Sequence, residues 1–397
     1  MKLLIYTENY FPGGLEKYVM DICKSSIFEV HLLVNKENDR LCDFAIKNDL
    51  KYSSVDLNSF KFSINNNNKI FRKFLNLFNF FADYVYLIPN YFILQKTLIQ
   101  LSDYENILIV NGGYPAAMSS FVAAKVAKKV KFKNIFMSIL SAPTPLYKNK
   151  MYRWIQSKFD TYFDQNIDFY LPNSNDIKLN LLNYTSLEVN KINVVYSGIK
   201  STSDIIKNNF LNIGNFNLVK NKDTFWICMI GLLGSTKRQD LIIDAMKYLN
   251  NNVKLLVVGD GPKLDFLKDQ VSKLNLYERV IFLGWVENPN TIYQFIDCLV
   301  FISDHEGLPY TISEAMSNKV PIIASSVGGI SEQIINNRGG LLVSNNPREI
   351  ADTVNELINN NKQTCSFVEF SYNRYLELFS VDSFVNEIKK LYEVKGD

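Results

Sequence analysis

Residues 303–332 read SDHEGLPYTISEAMSNKVPIIASSVGGISE. A short apolar run ends at Ile302, so Glu306 and Gly307 fall in a loop at the carboxyl end of a strand. Pro309 suits the first turn of the helix that follows, because the N–H it lacks would have no partner there. The amides of Gly307, Leu308 and the residues after them then point donors outward, and with the helix dipole they make a site suited to a diphosphate. Glu306 stands beside that site. Glu314 lies about one turn inside the helix, where a carboxylate accepts a pair of hydroxyl hydrogen bonds. A phosphate cradle flanked by two such carboxylates suits a nucleotide-sugar. Plainer readings stand beside these: a solvated loop residue for Glu306, an exposed helix face for Glu314, and a tight turn for Gly328-Gly329. The context favours sugar contact by Glu306, ribose contact by Glu314 and close approach of the Gly328-Gly329 backbone to the donor, whereas His305, flanked by acids, reads as a solvated histidine.

Outward from this stretch, short apolar runs alternate with longer amphipathic ones. Strands are expected at Leu3–Tyr6, Val30–Val34, Ile107–Val110, Ile135–Ile139, Phe169–Pro172 and 194–196, with helices from about Leu15 to Cys23 and from the Ala- and Lys-rich stretch to Lys129. Residues 200–222 are rich in Asn, Lys and Ser without a period and read as a linker. The alternation then restarts, with strands at Phe225–Ile230, Lys254–Val258, Val280–Phe282, Leu299–Ile302, Pro321–Ala324 and Gly340–Val343. Helices are expected near 240–249, 263–274, 292–296 and 310–318. Such alternation, twice over, implies an α/β chain of two doubly wound, Rossmann-like domains facing across a cleft. The expected boundaries are 1–200, a linker 201–222, 223–380, and a closing helix 381–397 that packs back on the first domain.

The 303–332 segment resembles the retaining glycosyltransferases of family 4, which have the two-lobed GT-B fold. The resemblance rests on two glutamates separated by seven residues, Glu306 and Glu314, followed by Ala-Met, a Pro-containing strand and a Gly-Gly-x-x-Glu turn. It extends to Gly13-Gly14-x-Glu16, to 195–199, to Gly231 through Lys237, to 258–262 and to Phe282-Leu283-Gly284. It implies catalytic roles for Glu306 and Lys237, the lysine steadying the departing diphosphate. It implies donor contacts from Gly13, Gly14, Gly231, Arg238, Gly284, Gly307, Leu308, Pro309 and Glu314. It implies no metal and no cofactor beyond the nucleotide-sugar substrate, a UDP-sugar by family frequency. No Asp-x-Asp occurs at a strand end.

Two departures stand out. The family usually has Gly-Arg-Leu where this chain has Gly231-Leu232-Leu233, and Arg238 is the substitute candidate for the missing charge. The family histidine after the fifth strand is also missing, where Ser138, Ser141 and Thr144 stand, so Asn111, Gly112 and Tyr114 are the candidates for contacts to the acceptor.

The chain has 397 residues, 47% apolar and 21% charged, an ordinary globular balance. Net charge is only +3, which argues against a nucleic-acid binder, yet residues 51–150 alone carry +9. A basic first half points to an acidic partner. Lys69, Arg72 and Lys73 precede the aromatic run Phe74–Phe81; Lys125 to Lys133 and 147–154 form further clusters. Cations beside aromatics suit peripheral contact with an anionic membrane, and a core helix with a solvated Lys face is the alternative. Five scattered cysteines and two histidines give neither a disulfide framework nor a zinc site. The first residues do not read as a signal peptide, and the apolar stretch Tyr84–Leu94 is too short to span a bilayer. A cytoplasmic protein working at the inner face of the membrane is expected.

The reading is therefore a sugar transfer from a nucleotide-sugar to a lipid-linked, capsular, O-antigen or lipopolysaccharide-type acceptor. A GT-B-fold nucleotide-sugar 2-epimerase and a catalytically inert glycan-binding partner of a transferase are the alternatives.

Overall fold

The computed structural model describes residues 2–9, 13–57, 86–115, 117–143, 150–200 and 207–393, with side chains described throughout these except at 150–153, 155 and 156. The Lys69–Phe81 cluster lies outside the described residues, as do Thr144 and 147–149. The chain divides into two compact units, Met1–Tyr196 with Val385–Asp397, and Ser197–Phe384.

Unit one holds a six-stranded parallel sheet of β1 (Lys2–Thr7), β2 (Glu29–Asn35), β3 (Lys51–Val55), β4 (Asn106–Asn111), β5 (Asn134–Ile139) and β6 (Phe169–Pro172). The strand order is β3-β2-β1-β4-β5-β6. Every residue of β4 and β5 is buried, and they run in unbroken register from Asn106 opposite Asn134 to Asn111 opposite Ile139. Helices on both faces of a parallel sheet require such continuous apolar strands. The helices are α1 (Gly14–Cys23), α2 (Asp39–Lys47), α3 (Leu87–Gln100), α4 (Met118–Val130), α5 (Lys150–Asp164) and α6 (Asn175–Tyr184). Asn38 and Ser174 cap α2 and α6, each side chain accepting from the backbone N–H three residues on.

Unit two opens with a hairpin, β7 (Phe210–Ile213) and β8 (Phe216–Val219). Its main sheet is also parallel: β9 (Phe225–Ile230), β10 (Val253–Val258), β11 (Val280–Gly284), β12 (Cys298–Phe301), β13 (Ile322–Ser325) and β14 (Leu341–Val343), in the order β11-β10-β9-β12-β13-β14. Its helices are α7 (Gln239–Ala245), α8 (Leu264–Lys273), α9 (Asn290–Phe295), α10 (Tyr310–Ser317), α11 (Ile330–Gln333), α12 (Pro347–Asn359) and α13 (Asn361–Arg374), and a π-helical turn at Tyr375–Phe379 leads into α14 (Val381–Glu393). From Val385 onward α14 belongs to unit one, where Tyr392 meets Phe136 edge-on with centroids 5.0 Å apart.

Both sheets thus have the doubly wound order, and each reverses direction at one seam, between β1 and β4 in unit one and between β9 and β12 in unit two. In such sheets ligands bind beyond the carboxyl ends of the strands at that seam.

Three expectations are corrected here. The 201–222 stretch is not a plain linker, because Phe210 to Val219 pair as an antiparallel hairpin about a turn at Gly214, which has φ 54°. Residues 194–196 form no strand: Ile192 bridges Tyr170 and two further backbone bonds follow β6, but the pairing does not propagate. The division falls at Tyr196/Ser197 and Phe384/Val385, a few residues from the expected limits.

Candidate functional site

The seam of unit two brings together residues expected to take part in the chemistry. The loop after β9 brings Thr236, Lys237 and Arg238, and the loop after β12 brings Ser303 to Pro309. Backbone and hydroxyl bonds join the two loops. The Asp304 N–H donates to the Thr236 carbonyl at 2.8 Å, and the Ser303 hydroxyl donates to the same carbonyl at 3.0 Å. The Ser325 hydroxyl, at the end of β13, accepts from the Ser303 N–H at 2.9 Å and donates to the Ser303 carbonyl at 3.0 Å.

On this frame the Lys237 ammonium pairs with the Glu306 carboxylate and sits 4.7 Å from the Phe301 ring centroid. Both side chains are mostly buried, so their attraction is less screened than a surface pair's. The two catalytic candidates, far apart in sequence, therefore meet side chain to side chain.

A third loop locks the second. Gly328 has φ 49°, and a Cβ there would lie 1.9 Å from the Glu306 carbonyl oxygen. The next amide, from Gly329, donates to the Gly307 carbonyl at 2.8 Å. The close approach this Gly-Gly turn makes is to the backbone of Glu306 and Gly307. Gly231, Gly259 and Gly284 line the ends of β9, β10 and β11. Gly259 has φ 128°, its N–H donates to the Gly284 carbonyl at 2.8 Å, and a Cβ on it would strike the Gly231 carbonyl at 2.0 Å. Gly231 and Gly284 themselves face open space.

Pro309 stands at the N-cap of α10 rather than in its first turn, and its carbonyl accepts from the Ile312 N–H and the Gln333 amide. Leu308 is buried, whereas Gly307 is partly exposed. Glu314 is one turn inside α10, as expected, but it is buried rather than on an open helix face. The Tyr293 phenol of α9 donates to Glu314 Oε2 at 2.7 Å and to the Thr311 carbonyl at 3.2 Å. Burial, and then the Glu314 carboxylate, push the Tyr293 phenol well above its ordinary value, so it stays a donor. Sequence reasoning missed Tyr293, Thr236, Ser303 and Ser325; only their places at strand ends and on the helix before β12 could have pointed to them.

Arg238, the substitute candidate for the missing arginine, is already engaged by carboxylates. It precedes α7 with φ 24°, and its guanidinium is held by Asp240 at 3.0 Å and by Asp304 at 3.2 Å. Asp304 also accepts from the Asn345 amide at 2.8 Å. Leu232, at the family's arginine position, is largely exposed.

In unit one, Gly13 and Gly14 are exposed, and a methyl group added to either would meet nothing within 4 Å. Gly112 lies against the Leu15 side chain of α1, so the loops after β1 and β4 are neighbours. Tyr114 is corrected as an acceptor contact: it is fully buried, edge-on to Phe121 and Tyr170, and its phenol donates to Asp160 at 2.8 Å. Asn111 is buried as well, and its Oδ1 accepts from the Ala117 N–H at 3.3 Å, which ties the loop to α4. Glu16 is buried and pairs with Arg40 at 3.3 Å. No cluster of metal-ligating side chains occurs among the described residues.

Residues 214–374 match the family described as Glycosyl transferases group 1. Over that portion the chain is similar to this family. An uncharacterized glycosyltransferase of Methanocaldococcus jannaschii, MJ1059, is 37% identical over 107 residues, 26% of each chain. The N-acetylgalactosamine-N,N'-diacetylbacillosaminyl-diphospho-undecaprenol 4-alpha-N-acetylgalactosaminyltransferase of Campylobacter jejuni is 25% identical over 86% of each chain. The match to the first curated relatives spans between 26% and 54% of their length. Among solved structures, Anabaena Alr3699/HepE in complex with UDP superposes with a TM-score of 0.74 at 17% identity, over 99% of this chain and all of that one. The fold is GT-B, two Rossmann-like halves.

Proposed function

We propose that this group 1 glycosyltransferase chain moves a sugar, with retention at the anomeric carbon, from a nucleoside-diphosphate sugar to a glycan or lipid-linked acceptor. The observation that carries the reading is the meeting of Lys237 and Glu306 at the seam of unit two, beside the start of α10. Unit two takes the donor. The amides at the start of α10 and the Lys237 ammonium receive the diphosphate, and their positive charge stabilises the negative charge that grows as the sugar leaves. No divalent cation is needed for this. Glu306 takes sugar hydroxyls and faces the electron-poor carbon. Glu314, held by Tyr293, takes the ribose hydroxyls.

Because Lys237 and Glu306 are paired, donor binding exchanges the carboxylate for phosphate on the ammonium. That exchange frees Glu306 for the sugar, so one event prepares both groups. UDP is the nucleotide proposed, supported by the UDP complex of the structural neighbour. A lipid-linked acceptor on unit one is supported by the relative whose name specifies a diphospho-undecaprenol acceptor.

A second reading, a catalytically inert glycan-binding partner, draws support from exposed Leu232 at the arginine position. Incubating the purified protein with UDP-sugars separates these. A transferase releases UDP slowly alone and faster with acceptor; an inert partner releases none, and an epimerase converts the sugar without release.

A further inference from the structure

We infer that the outward face of helices α3, α4 and α5 in unit one is a docking surface for an anionic lipid bilayer. The three helices pack side by side with α4 in the middle. On one flank the Lys129 ammonium lies 5.4 Å from the Tyr91 ring of α3; on the other, Lys125 lies 4.8 Å from the Tyr162 ring of α5. Phe121 and Phe163 fasten the second contact from below at 4.9 Å.

The outward side of α3 is apolar where a solvated helix would be polar. Ile88, Phe92 and Ile99 are each more than half exposed. With Lys96 they fall within an arc of about 80° at ~100° per residue. The opposite side, with Leu94 and Leu98, is buried in the core. On α5, Trp154 is 65% exposed, and Lys158 follows one turn later.

Charge selects the occupant. Neither α3 nor α4 contains an acidic residue, and the two on α5, Asp160 and Asp164, are buried. The exposed charges on described side chains of these helices are therefore all cationic: Lys96, Lys128, Lys129 and Lys158. Acids occur beyond the helices, at Asp103 and Glu105 after α3 in the chain and at Asp168, which pairs with Lys128 at 3.4 Å. Lysines interleaved with Trp, Tyr, Phe and Ile match a surface that is negative outside and apolar beneath. The face is independent of the donor chemistry and stands or falls apart from it.

The test is co-sedimentation of the full chain with vesicles of equal parts phosphatidylcholine and phosphatidylglycerol, against vesicles of phosphatidylcholine alone. Binding is expected to the anionic vesicles and to weaken as ionic strength rises. At roughly fivefold per cation, the triple variant Lys96→Gln, Lys129→Gln, Lys158→Gln lowers partition about 100-fold. The double variant Phe92→Ser, Trp154→Ser lowers it too, and melting temperature and circular dichroism confirm that each variant is folded. Absence of binding, equal binding to both vesicles, or variants that bind like the native chain would overturn the inference. So would an apolar variant that loses only self-association in the ultracentrifuge, which would make the face a contact between copies.

Discussion

Lys237 and Glu306 neutralise each other in a mostly buried setting, so removing either one leaves the other's charge unmatched. Lys237→Ala and Glu306→Gln are each expected to lower turnover by at least ~100-fold, in line with the loss of a single electrostatic donor elsewhere, while the chain still folds. Steady-state kinetics with a UDP-sugar check this, and near-normal transfer by either variant would contradict the assigned roles. Tyr293 acts one step removed, by fixing the Glu314 carboxylate. Tyr293→Phe removes one hydrogen bond to a charged group, so the KM for donor should rise about tenfold with kcat changed little. A fall confined to kcat would contradict a positioning role. At this scale the sequence singled out the two glutamates, whose spacing within one loop and helix is local, and singled out the lysine through the resemblance alone. It did not show Tyr293, nor that Tyr114 and Arg238 are already engaged, because those bonds join residues 21, 46 and 66 positions apart.

Elements hold these residues in place through backbone contacts that admit no extra atoms. Gly328→Ala would put a methyl group against the Glu306 carbonyl, in a left-handed conformation, and must displace the 304–309 loop. Its expected signature is a lower melting temperature together with loss of UDP-dependent stabilisation; a variant matching the native chain in both would contradict the packing described. In unit one, α1 buries Glu16. Burial is the largest influence and pushes its carboxyl up, while Arg40 and the Asn38 side chain pull it back. A raised folded value means that the contribution to stability is fully present below the ordinary carboxylate range, about pH 4, and is lost as pH rises through the folded value. Glu16→Gln should therefore melt higher than the native chain near neutral pH and equally near pH 4, by calorimetry. A variant destabilised most at neutral pH would show that Arg40 outweighs burial. Most strands of both sheets were legible from apolar runs and Gly turns, but β3, polar and largely exposed, was not, and neither were α2, α3, α5, α11, α12 and α13. The β7–β8 hairpin was not, because its strands are short, half-exposed and set among Asn and Lys residues that carry no alternation.

At the scale of the whole molecule, two repeats of one strand order give each unit a seam, and unit two places paired opposite charges at its own. The asymmetry of charge along the chain was visible from composition; the helical face that displays it needed the packing of α3, α4 and α5. UDP at 100 times its dissociation constant adds about 2.7 kcal/mol, which for a unit of this size raises the melting temperature by about 5–10 °C. The shift should appear in the native chain and shrink in Lys237→Ala. The most direct measurement is a crystal structure of the chain with UDP bound. The diphosphate is expected on the Lys237 ammonium and the amides of Gly307, Leu308 and Tyr310, with the ribose on Glu314 and the Lys237–Glu306 pair opened. UDP lodged elsewhere, or bound at this seam with that pair intact and the ribose off Glu314, would contradict that placement.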